Sequence, residues 1–523
     1  MTPSRLDTAA SGRSSKPIEL TGHDLRLDDV IAVARHDAKV AMSAAAAKRM
    51  HDSRRVVDRL VAEGATVYGV TTGFGDLADV RIEPAQTAEL QRNLLRSHAA
   101  GVGPPLEVEV VRAMLVLRAN CLAIGLSGVR VELAELLCAM LNAHVHPVVP
   151  RRGSVGASGD LAPLAHLALV TIGEGQASVG DAVMPGDEAL RRAGLAPIEL
   201  EAKEGLALLN GTQLMAAVGA LALHDARHLA AQADLIGAMS LDALRGTDAA
   251  FAAELHEARP HPGQLASAAN LRRHLAGSEI GASHRADTHR VQDAYSLRCM
   301  PQVHGAVRDA LDHLARVLDV ELNAATDNPL VFPATETHPD GSVVSGGNFH
   351  GEPLALAIDL GKIALAELAS ISERRTARLV DAHLSELPPF LTARSGLSSG
   401  YMIAQYTAAA LVNELQTLTH PSSVDTVPTS ANQEDHVSMG ATGALHLLDV
   451  LDRAQTILAV EALCAAQGLD FRAPLSPGRG VAAAHAAVRG VVPHLDEDRP
   501  PGADIGAVLG LVRSGGLVEI ANG

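Results

Sequence analysis

The sequence predicts a mainly α protein. Three observations carry this: long Ala- and Leu-rich stretches with apolar residues at helical spacing, scarce period-2 alternation, and glycine-rich polar loops between the helical stretches. In chain order, residues 1–20 are Ser/Thr-rich, lack an apolar run and read as a flexible tail without a secretory signal. Ser43 is placed to cap a helix over residues 44–63, which Gly64 ends. Helical spacing recurs over residues 84–98, 107–124, 131–143, 213–247, 302–323, 400–418 and 440–467. Pro353 opens another long helix, with Leu354, Ile358, Gly361, Leu365 and Leu368 on one face and Glu367, Glu373, Arg374 and Arg375 toward its far end. Strand-like alternation is confined to short pieces at 65–70 and 343–344.

Composition narrows the function classes. Of 523 residues, 47% are hydrophobic and 20% charged, an ordinary globular balance. At about 150 residues per domain the length allows about three domains, although one helix bundle can absorb several hundred residues. The net charge of −17 argues against nucleic acid and anionic membranes as partners, and 2% aromatic residues with no Trp leave no base-stacking platform. Cys121, Cys138, Cys299 and Cys464 lie far apart without zinc spacing, and most sit in apolar runs, which suits a reduced cytoplasmic setting. The stretch from Gly205 to Leu223 is long enough to cross a bilayer, but Asn210, Gly211, Thr212 and Gln213 interrupt it, so no membrane span is expected.

Several motifs invite chemistry and most fail on context. Gly396-Leu397-Ser398-Ser399-Gly400 has the GxSxG spacing of a serine-hydrolase elbow, but Pro388 and Pro389 stand where a central strand is required, so it reads as a turn. His256-Glu257-Ala258-Arg259-Pro260-His261 has one residue too many for HExxH and a helix-breaking proline. The 24 histidines are scattered and read mostly as surface or capping residues, and no phosphate-binding glycine loop is present. What helix economics does not explain are the loops at 68–75, 153–160, 208–212 and 345–350, where glycines cost entropy and scarce rings (Tyr68, Phe74, Phe349) gather; packing over a loop explains any one ring equally well.

The Ala157-Ser158-Gly159 tripeptide carries no weight alone, because Ala10-Ser11-Gly12 occurs in the tail. Its setting is different: Gly153-Ser154-Val155-Gly156-Ala157-Ser158-Gly159-Asp160-Leu161-Ala162-Pro163-Leu164 resembles the aromatic amino acid ammonia-lyase family, whose members condense Ala-Ser-Gly into a 4-methylidene-imidazol-5-one (MIO) electrophile. The residue types suit that chemistry. The Gly159 nitrogen must attack the Ala157 carbonyl carbon, which small side chains on a sharply bent backbone permit. Asp160 is placed either to assist proton transfer or to cap a helix from Leu161. The resemblance runs over residues 21 to 515. Arg96-Ser97-His98-Ala99-Ala100-Gly101 and Asn432-Gln433-Glu434-Asp435-His436 look like the segments of members that act on histidine.

That resemblance implies a long central helix bundle with C-terminal helices over residues 206–523, preceded by an N-terminal helical region (21–205) whose glycine-rich loops carry the active site. It implies elimination of ammonia from L-histidine to give trans-urocanate, no metal or dissociable cofactor, and a homotetramer whose sites combine several subunits. Residue by residue, Tyr68 is similar to the base on the β-carbon and Tyr295 to a second tyrosine beside it. Arg298 matches the carboxylate partner, Asn210 an amide on the substrate, Gln292 a polar liner and Phe349 the ring packed by the electrophile. His98 and Glu434 would complement the two imidazole nitrogens, which are costly to bury unpaired. From spacing alone, Glu434 reads as a helix-surface acid and His98 as a helix-end residue; the resemblance reverses that. Another MIO enzyme acting on tyrosine or phenylalanine, and a noncatalytic helical assembly, remain the rival readings.

Overall fold

The computed structural model describes residues 16–67, Gly69, Thr72, Ile82, 86–285 and 291–522. Helices dominate it, and the strands are short pieces of three or four residues. The chain forms two compact units. Among the described residues the first takes the chain up to Ala217, then Leu318–Glu352 and Thr426–Ala441; the second takes Val218–Val317, Pro353–Asp425 and the chain from Thr442. Each unit is therefore discontinuous in sequence. The expected tail also ends early. Ile18–Leu20 is a strand paired in parallel with Val40–Met42, and it fully buries Leu20.

The first unit is built around Val108–Ala123, a helix buried on nearly every side, which packs against Val131–Asn142 and Leu27–His36. Such a helix shows no polar stripe because it has no solvent face. The expected cap is present: the Ser43 hydroxyl accepts from the Ala46 N–H at the start of Ala44–Ala62, and Gly64 follows with φ +65°. Small antiparallel sheets join Val145–Pro147, Gln176–Val179 and Ala182–Pro185, and pair Leu330–Phe332 with Ser342–Val344. The strand expected at 65–70 does not form over residues 65–67; Tyr68, Val70 and most of the following loop lie outside the described residues.

The second unit draws on Gln213–Ala243, Met300–Glu321, Glu352–Val380, Met402–Leu418 and Gly440–Asp470. The apolar face expected on Glu352–Val380 is buried throughout, from Leu354 and Ile358 to Leu365 and Leu368. Glu373 and Arg375, toward the far end of this helix, are buried too. A few histidines are buried. His256 and His304 have no solvent exposure, and His256 meets the Ala250 carbonyl and the Gln264 side chain. No helix among the described residues is long and apolar enough to cross a membrane, and the 205–223 stretch is broken after Leu209.

Candidate active site

The loop at 153–160 leaves the strand Pro150–Arg152 and enters the helix Leu161–Thr171. Backbone packing holds it. Gly159 (φ +82°) forms a parallel bridge with Gly211 (φ +145°), and the Asp160 N–H donates to the Gly211 carbonyl at 2.7 Å. A Cβ on Gly159 would stand 2.2 Å from that carbonyl oxygen, so only glycine fits. On the other side the Ser438 hydroxyl donates to the Gly156 carbonyl at 3.0 Å, and the Met439 N–H donates to Val155 at 2.9 Å. Ala157 is buried and Ser158 half-buried at the wall of a cavity of about 410 Å³.

Asp160 departs from its sequence reading. Its carboxylate makes no cap hydrogen bond to the helix it precedes. Instead Oδ2 accepts from the Leu214 and Met215 N–H groups at 2.9 and 3.1 Å, capping the start of Gln213–Ala243 from across the fold. Burial pushes this carboxyl up to about 7, against the two backbone donors and Ser154, which favour its charge. This buried carboxyl immediately follows Gly159 in the chain.

Glu434 is no helix-surface acid. It follows a tight turn in which Ser430, Ala431 and Asn432 all have positive φ, a strained run for residues carrying a Cβ. The turn is closed by backbone hydrogen bonds between Thr429 and Glu434. The Thr429 hydroxyl donates to Glu434 Oε2 at 2.7 Å, and Oε1 accepts from the Ser158 hydroxyl at 3.0 Å. Asn210 lines the same cavity, its amide donating to the Asn328 carbonyl at 2.8 Å and its own carbonyl held by the buried Arg118. Phe349 lines it as well.

Other lining residues were not assigned roles from sequence: Asn328, Ser345, Gly346, His350, Gln433, Asp435 and His436. Asn328 organises one wall, accepting from the Gly346 N–H at 2.7 Å and donating to Ser345 Oγ at 3.2 Å. It follows Asp327, whose carboxylate pairs at 2.6 Å with the fully buried Lys203. The polar run Asp327-Asn328 just before a strand was the available signal. His350 and His436 stack with ring planes 6° apart.

The remaining expected residues fall elsewhere. His98 ends the helix Thr87–His98, its Nδ1 facing the Leu94 carbonyl at 2.9 Å, and is not among the residues lining this cavity. Tyr68 lies outside the described residues. Gln292, Tyr295 and Arg298 belong to the second unit. There Tyr295 is 71% exposed, the Arg298 guanidinium stands 4.6 Å from its ring centroid, and Arg298 Nε is buried with no hydrogen-bond partner among the described residues. Among the described residues no cluster of three or more His, Cys, Asp or Glu is arranged to hold a metal.

A family model for aromatic amino acid lyases matches residues 25–490. The chain belongs to that family. Among its relatives, the lyase is 57% identical over 506 residues to a histidine ammonia-lyase of Anaeromyxobacter sp. (strain K), covering 95% of this chain and 99% of the relative. Of solved structures, it matches the histidine ammonia-lyase of Trypanosoma cruzi with a TM-score of 0.89 at 43% identity, over 97% of this chain and 95% of that one. It matches the tyrosine aminomutase of Streptomyces globisporus with a TM-score of 0.91 at 38% identity, over 97% and 98%. The lyase fold is thus common to enzymes of different name, and side chains in the cavity must separate them.

A carboxyl whose folded pKa lies above its unfolded value binds its proton more readily when folded. Its share of stability is therefore fully present below the unfolded value of about 4 and is lost as pH rises through about 7. Asp160→Asn keeps an acceptor for Leu214 and Met215 but cannot ionise. Its Tm is expected to rise relative to the parent between pH 4 and 8; an offset independent of pH would contradict the buried proton.

Proposed function

We propose that this protein is a cytoplasmic histidine ammonia-lyase, which eliminates ammonia from L-histidine to give trans-urocanate. The observation that carries the reading is the Glu434 carboxylate, 3.0 Å from Ser158 Oγ in a cavity of substrate size. An imidazole presents ring N–H groups that such a carboxylate accepts, whereas phenyl offers none. The relatives named as histidine ammonia-lyases at 52–57% identity support the same substrate.

The Ala157-Ser158-Gly159 loop suits an MIO formed from the chain itself. Ala157 is buried, Gly159 has left-handed φ with no room for a side chain, and Asp160 beside it holds an exchangeable proton. When formed, the group supplies an electron-poor exocyclic double bond that no ordinary side chain offers. The chain's own residues do the rest. Were the ring to form, the Ser158 hydroxyl would leave as water and free Glu434 Oε1, now its acceptor, to accept from the imidazole. Asn210 and Phe349 line the reacting end. Arg298 takes the α-carboxylate with its planar fork of donors. Tyr68 removes the β-proton, with Tyr295 as a second tyrosine for the reaction; the electron pair of the broken C–H bond becomes the new C=C bond as the C–N bond breaks and the amine departs with its pair. A phenol needs nearby positive charge or donors to act as a base near neutral pH.

The assembly is a homotetramer whose sites draw on more than one subunit. Leu356 (55% exposed), Leu360 (40%) and Ile363 (42%) form a bare apolar stripe on Glu352–Val380, and Tyr295 stands largely in solvent in the single chain; both suit burial against identical copies.

The intact mass of active protein is expected to fall two waters below the encoded value, and an unmodified mass in active protein would reject the electrophile. Ser158→Ala should fold normally yet lose turnover by about 10³-fold or more, since the missing electrophile has no substitute. On a panel of histidine, tyrosine and phenylalanine, only histidine should be converted. Glu434→Gln should cut kcat/KM for histidine about 10- to 100-fold, the worth of one hydrogen bond to a charged group. An unchanged rate would remove Glu434 from ring recognition.

A further inference from the structure

The second unit buries an ionic chain that the reaction as described does not use. Arg375 on Glu352–Val380 and Glu461 on Gly440–Asp470 have no solvent exposure. They pair through two hydrogen bonds, Nε to Oε1 and Nη2 to Oε2, the second 2.8 Å long. Ser240 donates to Glu461 Oε1 at 2.6 Å. Arg375 Nη1 faces His304 Nε2 at 3.4 Å, and because a guanidinium only donates, that nitrogen must accept. The His304 proton is therefore on Nδ1, 2.9 Å from Asp234 Oδ1. Burial opposes the Asp234 charge, but the hydrogen bond from His304 and the Arg308 guanidinium outweigh it and hold the carboxyl down at about 2.

Replacing such a buried pair by apolar side chains of similar volume is often neutral or stabilising, so stability is a weak reason for its presence. Its geometry supplies another. Arg375 Nη1 also donates to the Ser296 carbonyl at 3.3 Å, in the middle of the one-turn helix Tyr295–Arg298. A single turn has few hydrogen bonds of its own with which to hold its place. Gly237 helps: a Cβ there would meet Met300 Sδ at 2.4 Å, at the start of the helix that follows that turn.

We propose that Arg375, locked by Glu461 and His304, is a positioning residue that fixes the Tyr295–Arg298 turn through the Ser296 carbonyl and so sets the grip of Arg298 on the substrate carboxylate. This rests on the assignment of Arg298 made above. The guanidinium does what an ammonium cannot, since one rigid fork engages Glu461 twice while its remaining N–H groups reach His304 and Ser296.

The test uses the intact enzyme and two competitive inhibitors, imidazole-propionate, which carries the carboxylate, and histamine, which lacks it. Arg375→Lys, which keeps the charge but loses the fork, should raise the inhibition constant for imidazole-propionate about tenfold and leave that for histamine unchanged. The double variant Arg375→Met/Glu461→Met leaves no uncompensated buried charge, and should show the same selective loss if the single variant fails to fold. Equal weakening of both inhibitors, or no change in either, in a folded variant overturns the positioning role. Arg298→Gln is run beside them. If it discriminates between the inhibitors and the Arg375 variants do not, the positioning role alone is wrong; if it too fails to discriminate, the carboxylate assignment falls and takes the positioning role with it.

Discussion

The contact between the backbones of Gly159 and Gly211 is the constraint on which the first unit's chemistry depends. Each has positive φ, and the approach leaves no space for a Cβ at Gly159. The Asp160 N–H bonds the Gly211 carbonyl while its carboxylate caps Gln213–Ala243. A single tight junction thus ties the Ala157-Ser158-Gly159 bend, the Asn210 amide and the start of a long helix into one rigid piece. That rigidity suits the proposed cyclisation, because bringing an amide nitrogen onto a carbonyl carbon leaves little tolerance for slack.

Around that junction, buried polar groups are paired rather than avoided. Arg118 holds the Asn210 carbonyl, Lys203 meets Asp327 beside Asn328, and Ser158 and Thr429 take the two oxygens of Glu434. Each would be expensive to bury alone. In the second unit the Arg375–Glu461 pair follows the same rule beneath a different short turn. Polar pairs of this kind specify geometry in a way that interchangeable Ala and Leu contacts do not.

Much of the secondary structure was legible in the chain. Helical spacing and a Ser cap placed Ala44–Ala62 within a residue of its bounds, and the apolar face over Leu354, Ile358, Leu365 and Leu368 is the buried one. The Ala-Ser-Gly loop and Glu434 were found by motif, and the cavity gathers them with Asn210 and Phe349. Asn328, by contrast, acts through contacts to a loop 17 and 18 residues on, and the polar run Asp327-Asn328 marks the place without naming those partners. The burial of His304, Glu373 and Arg375 was equally hidden, because a charged residue at helical spacing reads as a solvated one unless its partners are known.

Local preferences act within a few residues, and so the sequence by itself determined the helices, their apolar faces, the small-residue bend at 157–159 and the kinds of group available for chemistry. Which groups meet is a matter of long-range contact. Only the tertiary structure decided that Asp160 caps a helix more than 50 residues away, that Glu434 faces Ser158, and that Arg375 reaches Ser296. Those meetings join segments distant along the chain, where the gain from pairing buried charges and donors outweighs any local propensity.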